Sequence, residues 1–170
     1  RIFKTSPHSA KYFLETQVQE GFLSRLKRGI YALKNDLPSE EEIANIIYKP
    51  SYISFEYALA YYNLLPEMTY TVTSATTKST RLFDISGKPF SYRTIKKEVF
   101  TGYFLMKLEG KTFFIAEKEK ALVDYLYFVS LKKSSKNERL EIKGLNKEKI
   151  LFYTDLFNNK RLQKLVHSLL

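Results

Sequence analysis

Ser24-Arg-Leu-Lys-Arg-Gly-Ile-Tyr-Ala-Leu33 reads as a basic β-hairpin. From Phe22 to Leu26 apolar and polar residues alternate, the two-residue period of a strand. Lys27-Arg28-Gly29 is a short turn in which Gly29 is free to take positive φ, and Ile30 to Leu33 is the return strand. A helix stands directly upstream. Ser6 is placed to cap it and Pro7 loses no hydrogen bond at its first position. Ala10, Phe13, Leu14 and Val18 recur near the helical period, and Gly21 ends the run. A helix followed at once by a basic hairpin is the element order of a winged-helix DNA-binding unit. The first helices of such a unit are then expected upstream of Arg1, the alternative being a degenerate unit.

Working outward, Asn35-Asp-Leu-Pro38 breaks the pattern and Ser39-Glu-Glu-Glu42 opens a helix to about Ile47, its acids suiting the positive end of the helix dipole. Lys49-Pro50-Ser51 reads as a boundary, which places a winged-helix domain at 1–48 and a second domain at 49–170. Ser54 can cap a helix over 55–64 that Pro66 stops. The β-branched and aromatic stretch 69–73 predicts a strand. Strands 81–85 and 89–95 flank Ser86-Gly87-Lys88, and strands 102–108 and 111–116 flank Glu109-Gly110. A helix follows over 117–131, with Leu122, Tyr125, Leu126 and Val129 as its apolar stripe. Residues 132–141 read as a charged loop, and 146–158 and 160–170 as closing helices. The expected class is α+β, with an antiparallel sheet of four to six strands in the second domain.

Composition narrows the function. A formal charge of +10 favours partners carrying phosphates. The cations are in patches: Arg25, Lys27 and Arg28 at the hairpin, and Arg81, Lys88, Arg93, Lys96 and Lys97 further on. With no Cys, disulfides, thiolate metal sites and thiol nucleophiles are excluded, which fits the cytoplasm. His8 and His167 lack metal-ligand spacing, so neither a metal nor a cofactor is expected. No apolar run approaches the length of a membrane span.

Three segments carry a resemblance. They are Gly21-Phe-Leu-Ser-Arg-Leu-Lys-Arg-Gly-Ile-Tyr-Ala-Leu33, then Pro50-Ser-Tyr-Ile-Ser-Phe-Glu-Tyr-Ala-Leu-Ala-Tyr-Tyr-Asn-Leu-Leu-Pro-Glu67 with Thr71-Val-Thr-Ser-Ala-Thr76, and Ile115-Ala-Glu-Lys-Glu-Lys-Ala-Leu-Val-Asp124. In this order the chain resembles the AbiEi-type antitoxins, bacterial transcriptional regulators of abortive phage infection. The resemblance covers roughly residues 6–128. It implies an N-terminal winged helix and a larger C-terminal antitoxin domain. It implies binding to inverted repeats in the protein's own promoter, with a dimer on the operator. It also implies neutralisation of a nucleotidyltransferase-like toxin, without need of a stable complex.

If the helix from Ser6 is the reading helix, its first turns present His8, Ser9, Lys11 and Tyr12 to the major groove. Lys11 suits a guanine edge or a phosphate, and Ser9 and Tyr12 a phosphate or sugar. Arg25, Lys27 and Arg28 would meet phosphate or the minor groove. The cluster at 81–97 extends a DNA footprint, binds RNA or an acidic partner, or is a solvated surface. Phe90, Tyr92, Phe100, Tyr103, Phe104, Phe113 and Phe114 are expected in the core of the sheet rather than as a base-stacking platform. Glu117, Glu119 and Asp124 suit structural roles at a helix better than catalysis, and no catalytic constellation stands out. The first expectation is therefore an antitoxin and autorepressor, not an enzyme. The alternative is an interaction module that restrains a toxin enzyme without sequence-specific DNA binding. An enzyme acting on nucleic acid through Glu117 and Asp124 comes last.

Overall fold

The computed structural model describes residues 5–170 and is α+β. It divides into two compact units, Arg1–Ser39 and Glu40–Leu170. The smaller unit holds α1 (Pro7–Gln19), β1 (Leu23–Lys27) and β2 (Ile30–Leu33). The Ser6 hydroxyl accepts from the Ser9 N–H at 3.1 Å, so the expected cap forms. β1 and β2 pair antiparallel from Leu23↔Leu33 to Lys27↔Ile30, with a bulge between Arg25 and Lys27. Among the described residues of this unit only Leu26 is a buried apolar side chain, and no residue of α1 is buried.

The larger unit is built on a six-stranded sheet. In chain order its elements are α2 (Glu40–Ile47), β3 (Ser51–Ile53), α3 (Phe55–Tyr61), β4 (Val72–Thr76), β5 (Arg81–Ile85) and β6 (Lys88–Thr94). A 3₁₀ turn (Lys97–Val99) follows, then β7 (Tyr103–Leu108), β8 (Lys111–Ala116), α4 (Lys118–Ser130), α5 (Lys147–Leu156) and α6 (Lys160–His167). The strand order is β5-β6-β4-β3-β8-β7. The sheet is mixed, not antiparallel as expected. β3 lies parallel to β8 through Ile53↔Ile115, and β4 parallel to β6 from Val72↔Phe90 to Thr76↔Thr94. The hairpins β5–β6 and β7–β8 are antiparallel, as is β3–β4.

Three local expectations shift. The segment read as a boundary at Lys49-Pro50-Ser51 leads straight into β3, an inner strand whose three residues are all buried. The strand expected at 69–73 lies three residues later. The helix expected over 55–64 ends at Tyr61.

The division between units also falls after Ser39 rather than after residue 48, because α2 belongs to the sheet. The Glu42 carboxylate accepts the Thr112 N–H at 2.9 Å, and the Asn45 amide oxygen accepts the Phe114 N–H. Acceptors three apart on a helix thus serve N–H groups two apart on β8. They stand in for a strand where β3 is too short to pair with that end of β8.

The core lies between the sheet and α3, α4, α5 and α6. Leu122, Val123, Tyr125 and Leu126 of α4 are fully buried, as are Phe55, Leu59, Ile150 and Leu162. Phe90, Tyr92 and Phe113 are buried in the sheet as expected, whereas Phe104 and Phe114 remain partly exposed at its β7 end.

Candidate functional site

Two groups of residues have the character of a site. The first is on the small unit. Lys11, Arg25 and Arg28 all line one groove of about 440 Å³ between α1 and the hairpin, together with Glu15 and Tyr31. Lys11 also pairs with Glu15 at 3.7 Å across one helical turn, an exposed contact that competes weakly with any phosphate. His8, Ser9 and Tyr12 are exposed on α1 but do not line the groove. Ser9 is engaged with the Ser6 cap, its hydroxyl 2.9 Å from that of Ser6. Lys27 is half-buried in β1. Of the seven residues expected to read DNA, the structure therefore gathers three.

The second cluster of cations is less uniform than its spacing suggested. Arg93 pairs with Glu56 at 2.9 Å and lies over the rings of Phe55 and Phe128. Lys88 pairs with Glu40 at 2.6 Å and lies over Tyr70 at 4.8 Å. Both are holding the larger unit together. Arg81, Lys96 and Lys97 remain exposed.

The second group is inside the larger unit. Lys120 and Asp124, one helical turn apart on α4, are each 0% exposed and form an ion pair. The Asp124 carboxylate also accepts from the Tyr52 hydroxyl at 3.0 Å and the Ser54 hydroxyl at 2.8 Å. The Lys120 ammonium sits 5.0 Å from the centre of the Phe157 ring. Burial pushes Lys120 below the ordinary lysine range, opposed by the charge of Asp124. Two of the segments that carry the family resemblance, Pro50–Glu67 and Ile115–Asp124, meet here. Ser54 leads into Phe55, whose φ of 59° is a strained value for an aromatic residue. That strain is held by the packing of Phe55 against Arg93 and Phe128.

Of the three carboxylates noted in the sequence, each has a structural partner. Asp124 is the centre of this network. Glu119 is buried and accepts the Asn146 N–H at 3.1 Å, fixing the start of α5. Glu117 pairs with Lys149 at 2.7 Å on the surface. The part played by Tyr52 was passed over in the sequence. On sequence grounds Glu119 and Lys120 fit pairing with each other at the surface; the structure instead buries both and sets Lys120 against Asp124. The available signal was a Lys and an Asp four apart within an otherwise apolar face of one helix, a spacing that pairs side chains. Among the described residues no cluster of His, Asp or Glu could hold a metal ion. None of their helices is long and apolar enough to cross a membrane.

Buried and half-buried tyrosines tie the elements together. Tyr57 donates to Glu41 at 2.6 Å and Tyr62 to the Ala116 carbonyl at 2.7 Å. Tyr52, Tyr57, Tyr62 and Tyr92 are all raised above the ordinary tyrosine value of 10.0, burial being the largest cause in each. A raised folded-state pKa contributes stability that is complete below the unfolded value and is lost as pH climbs through the folded one. Alkaline titration should therefore show an abrupt rise in tyrosinate absorbance that coincides with loss of the circular-dichroism signal. A smooth titration of every tyrosine with the dichroism intact would contradict this packing.

Compared with known protein families and with curated proteins, the chain matches none.

Proposed function

We propose that this chain is an AbiEi-type antitoxin and autorepressor. Its N-terminal helix and hairpin act as a winged-helix reading head on inverted repeats in its own promoter. Its larger unit neutralises a nucleotidyltransferase-like toxin. The observation that carries the DNA-binding half is the convergence of Lys11, Arg25 and Arg28 on one groove beside an exposed helix. Cations on a helix and on the adjoining hairpin tip can grip phosphates from two elements at once. That double grip fixes a helix against a groove of duplex DNA. Supporting the toxin-directed half is the meeting of the resembling segments at the buried Asp124 network.

The second reading, an interaction module that restrains a toxin without reading DNA, is favoured by one observation. Lys88 and Arg93 of the second basic cluster are consumed by ion pairs within the fold, so that cluster offers less to a phosphate backbone than its count suggests.

Binding to the protein's own upstream promoter fragment, against scrambled DNA over a range of salt, tests the two. On the first reading binding is promoter-selective. Arg28→Ala and Lys11→Ala then weaken it and each lowers the salt slope by about one unit. Equal, weak binding to both DNAs, with no change in either variant, would remove the repressor and leave the interaction module.

A further inference from the structure

β7 forms one edge of the six-stranded sheet, and its hydrogen-bonding phase can be worked out. The Glu117 N–H donates to the Gly102 carbonyl at 2.8 Å, which continues the β7–β8 register by one pair. Residues 102 and 117 are thus a hydrogen-bonded pair. Every second pair inward, 104 with 115, 106 with 113 and 108 with 111, is hydrogen-bonded too. Thr112 and Phe114 on β8 confirm the phase, since their N–H groups point away from β7 to α2. Tyr103, Leu105 and Lys107 must then turn their N–H and C=O groups outward. Among the described residues these groups have no hydrogen-bond partner.

Such an edge is ordinarily blunted by charge, proline or a bulge. The opposite edge, β5, carries Arg81 and Asp84. β7 is longer by one residue, has Lys107 as its single charge, and exposes Phe104 (40%), Leu105 (43%) and Leu108 (49%). On one face Tyr103 and Leu105 adjoin an apolar cavity of about 450 Å³ shared with Phe100, Phe114 and Ile46.

We propose that this edge pairs with β7 of a second copy of the chain, antiparallel, with the dyad at Leu105, so that two sheets become one. The register follows from the phase. Outward-facing residues must meet outward-facing residues. Only the dyad at Leu105 engages all three, as Leu105 with Leu105 and Tyr103 with Lys107 twice. Three such pairs exchange two backbone bonds each. The side chains are self-complementary in this register. Lys107 faces the Tyr103 ring of the second copy and never another Lys107. On the other face Phe104 meets Met106, both ways, a ring and a thioether. A chain of charge +10 would repel itself at a surface crowded with cations, whereas this apolar edge carries one cation, Lys107, which the register sets opposite a ring and not opposite its own copy.

The test uses the intact protein without DNA, so its outcome is separate from that of promoter binding. Sedimentation equilibrium should show a reversible dimer. Leu105→Lys places two cations opposite each other at the dyad and should weaken the dimer by about tenfold or more, with thermal unfolding of the exposed-edge variant unchanged. Leu105→Glu should do the same alone. An equal mixture of the two should restore a mixed dimer, because only a dyad at residue 105 sets Lys against Glu. Leu82→Lys on the β5 edge should leave the dimer intact. A wild-type protein that stays monomeric overturns the proposal. So does a dimer indifferent to Leu105→Lys, or a mixture that fails to restore association.

Discussion

Asp124→Ala is expected to cost the fold about 3–5 kcal/mol, the range for breaking a buried ion pair from one side. Lys120 and Asp124 are both fully buried, so no solvent reaches the ammonium once its partner is gone. The Phe157 and Tyr52 rings near it attract a cation but accept no ordinary hydrogen bond from it in place of a carboxylate. The Tyr52 and Ser54 hydroxyls lose their acceptor in the same step. Each then carries a desolvation cost of its own. Burial already favours the neutral amine at Lys120, and loss of the proton limits the damage without removing it. The double variant Lys120→Met/Asp124→Leu removes both charges and should recover a large part of the loss. Urea unfolding of the three proteins decides the matter. An Asp124→Ala variant within about 1 kcal/mol of wild type would mean that the pair contributes nothing beyond its own cost.

Gly102→Ala is expected to destabilise by about 2–4 kcal/mol, from overpacking together with a left-handed backbone. Gly102 has φ +71°, and a Cβ built there would stand 2.6 Å from Cε1 of the Tyr153 ring. Tyr153 is buried on α5 and has little room to retreat. Its carbonyl partner also matters, because Gly102 accepts the N–H of Glu117 just before α4 begins. Gly110 supplies the control. It has φ +80° with nothing within 4 Å of a Cβ, so Gly110→Ala carries the backbone cost alone, about 1 kcal/mol. Thermal unfolding should separate the two variants clearly. Equal losses at both glycines would show that the Tyr153 ring yields freely.

Much of the fold was legible because local rules and tertiary packing agree. The Ser6 cap and Pro7 start α1, Gly29 turns the first hairpin, and Glu109-Gly110 turns the last. What escaped was non-local. β3 is three residues long and follows a proline, so nothing in its own sequence distinguishes a boundary from a central strand. The parallel pairings of β3 with β8 and β4 with β6 join segments that no periodicity connects. α2 reads as the end of the first unit, and the bonds that tie it to the second, from the β8 N–H groups to Glu42 and Asn45 and from the Tyr92 hydroxyl to the Ala44 carbonyl, join residues far apart in sequence. In the candidate site, a run of cations is visible in sequence but its ion pairs are not. Arg93 could not be assigned to Glu56, 37 residues away, before the fold was known.

The placement of β3 also bears on how the chain matures as it is made. Its outer neighbour β8 and its anchoring carboxylate on α4 arrive late, Tyr52 reaching Asp124 across 72 positions of sequence. Until those residues emerge, the middle of the sheet has only one of its two flanking strands and a hydroxyl pair without its acceptor. Closing so long a loop is slow, because its entropy must be surrendered before the contacts that reward it exist. A ribosome-bound intermediate ending before residue 115 would therefore present the apolar flank of β3 unsheltered, the stage at which a nascent chain of this topology most needs a chaperone.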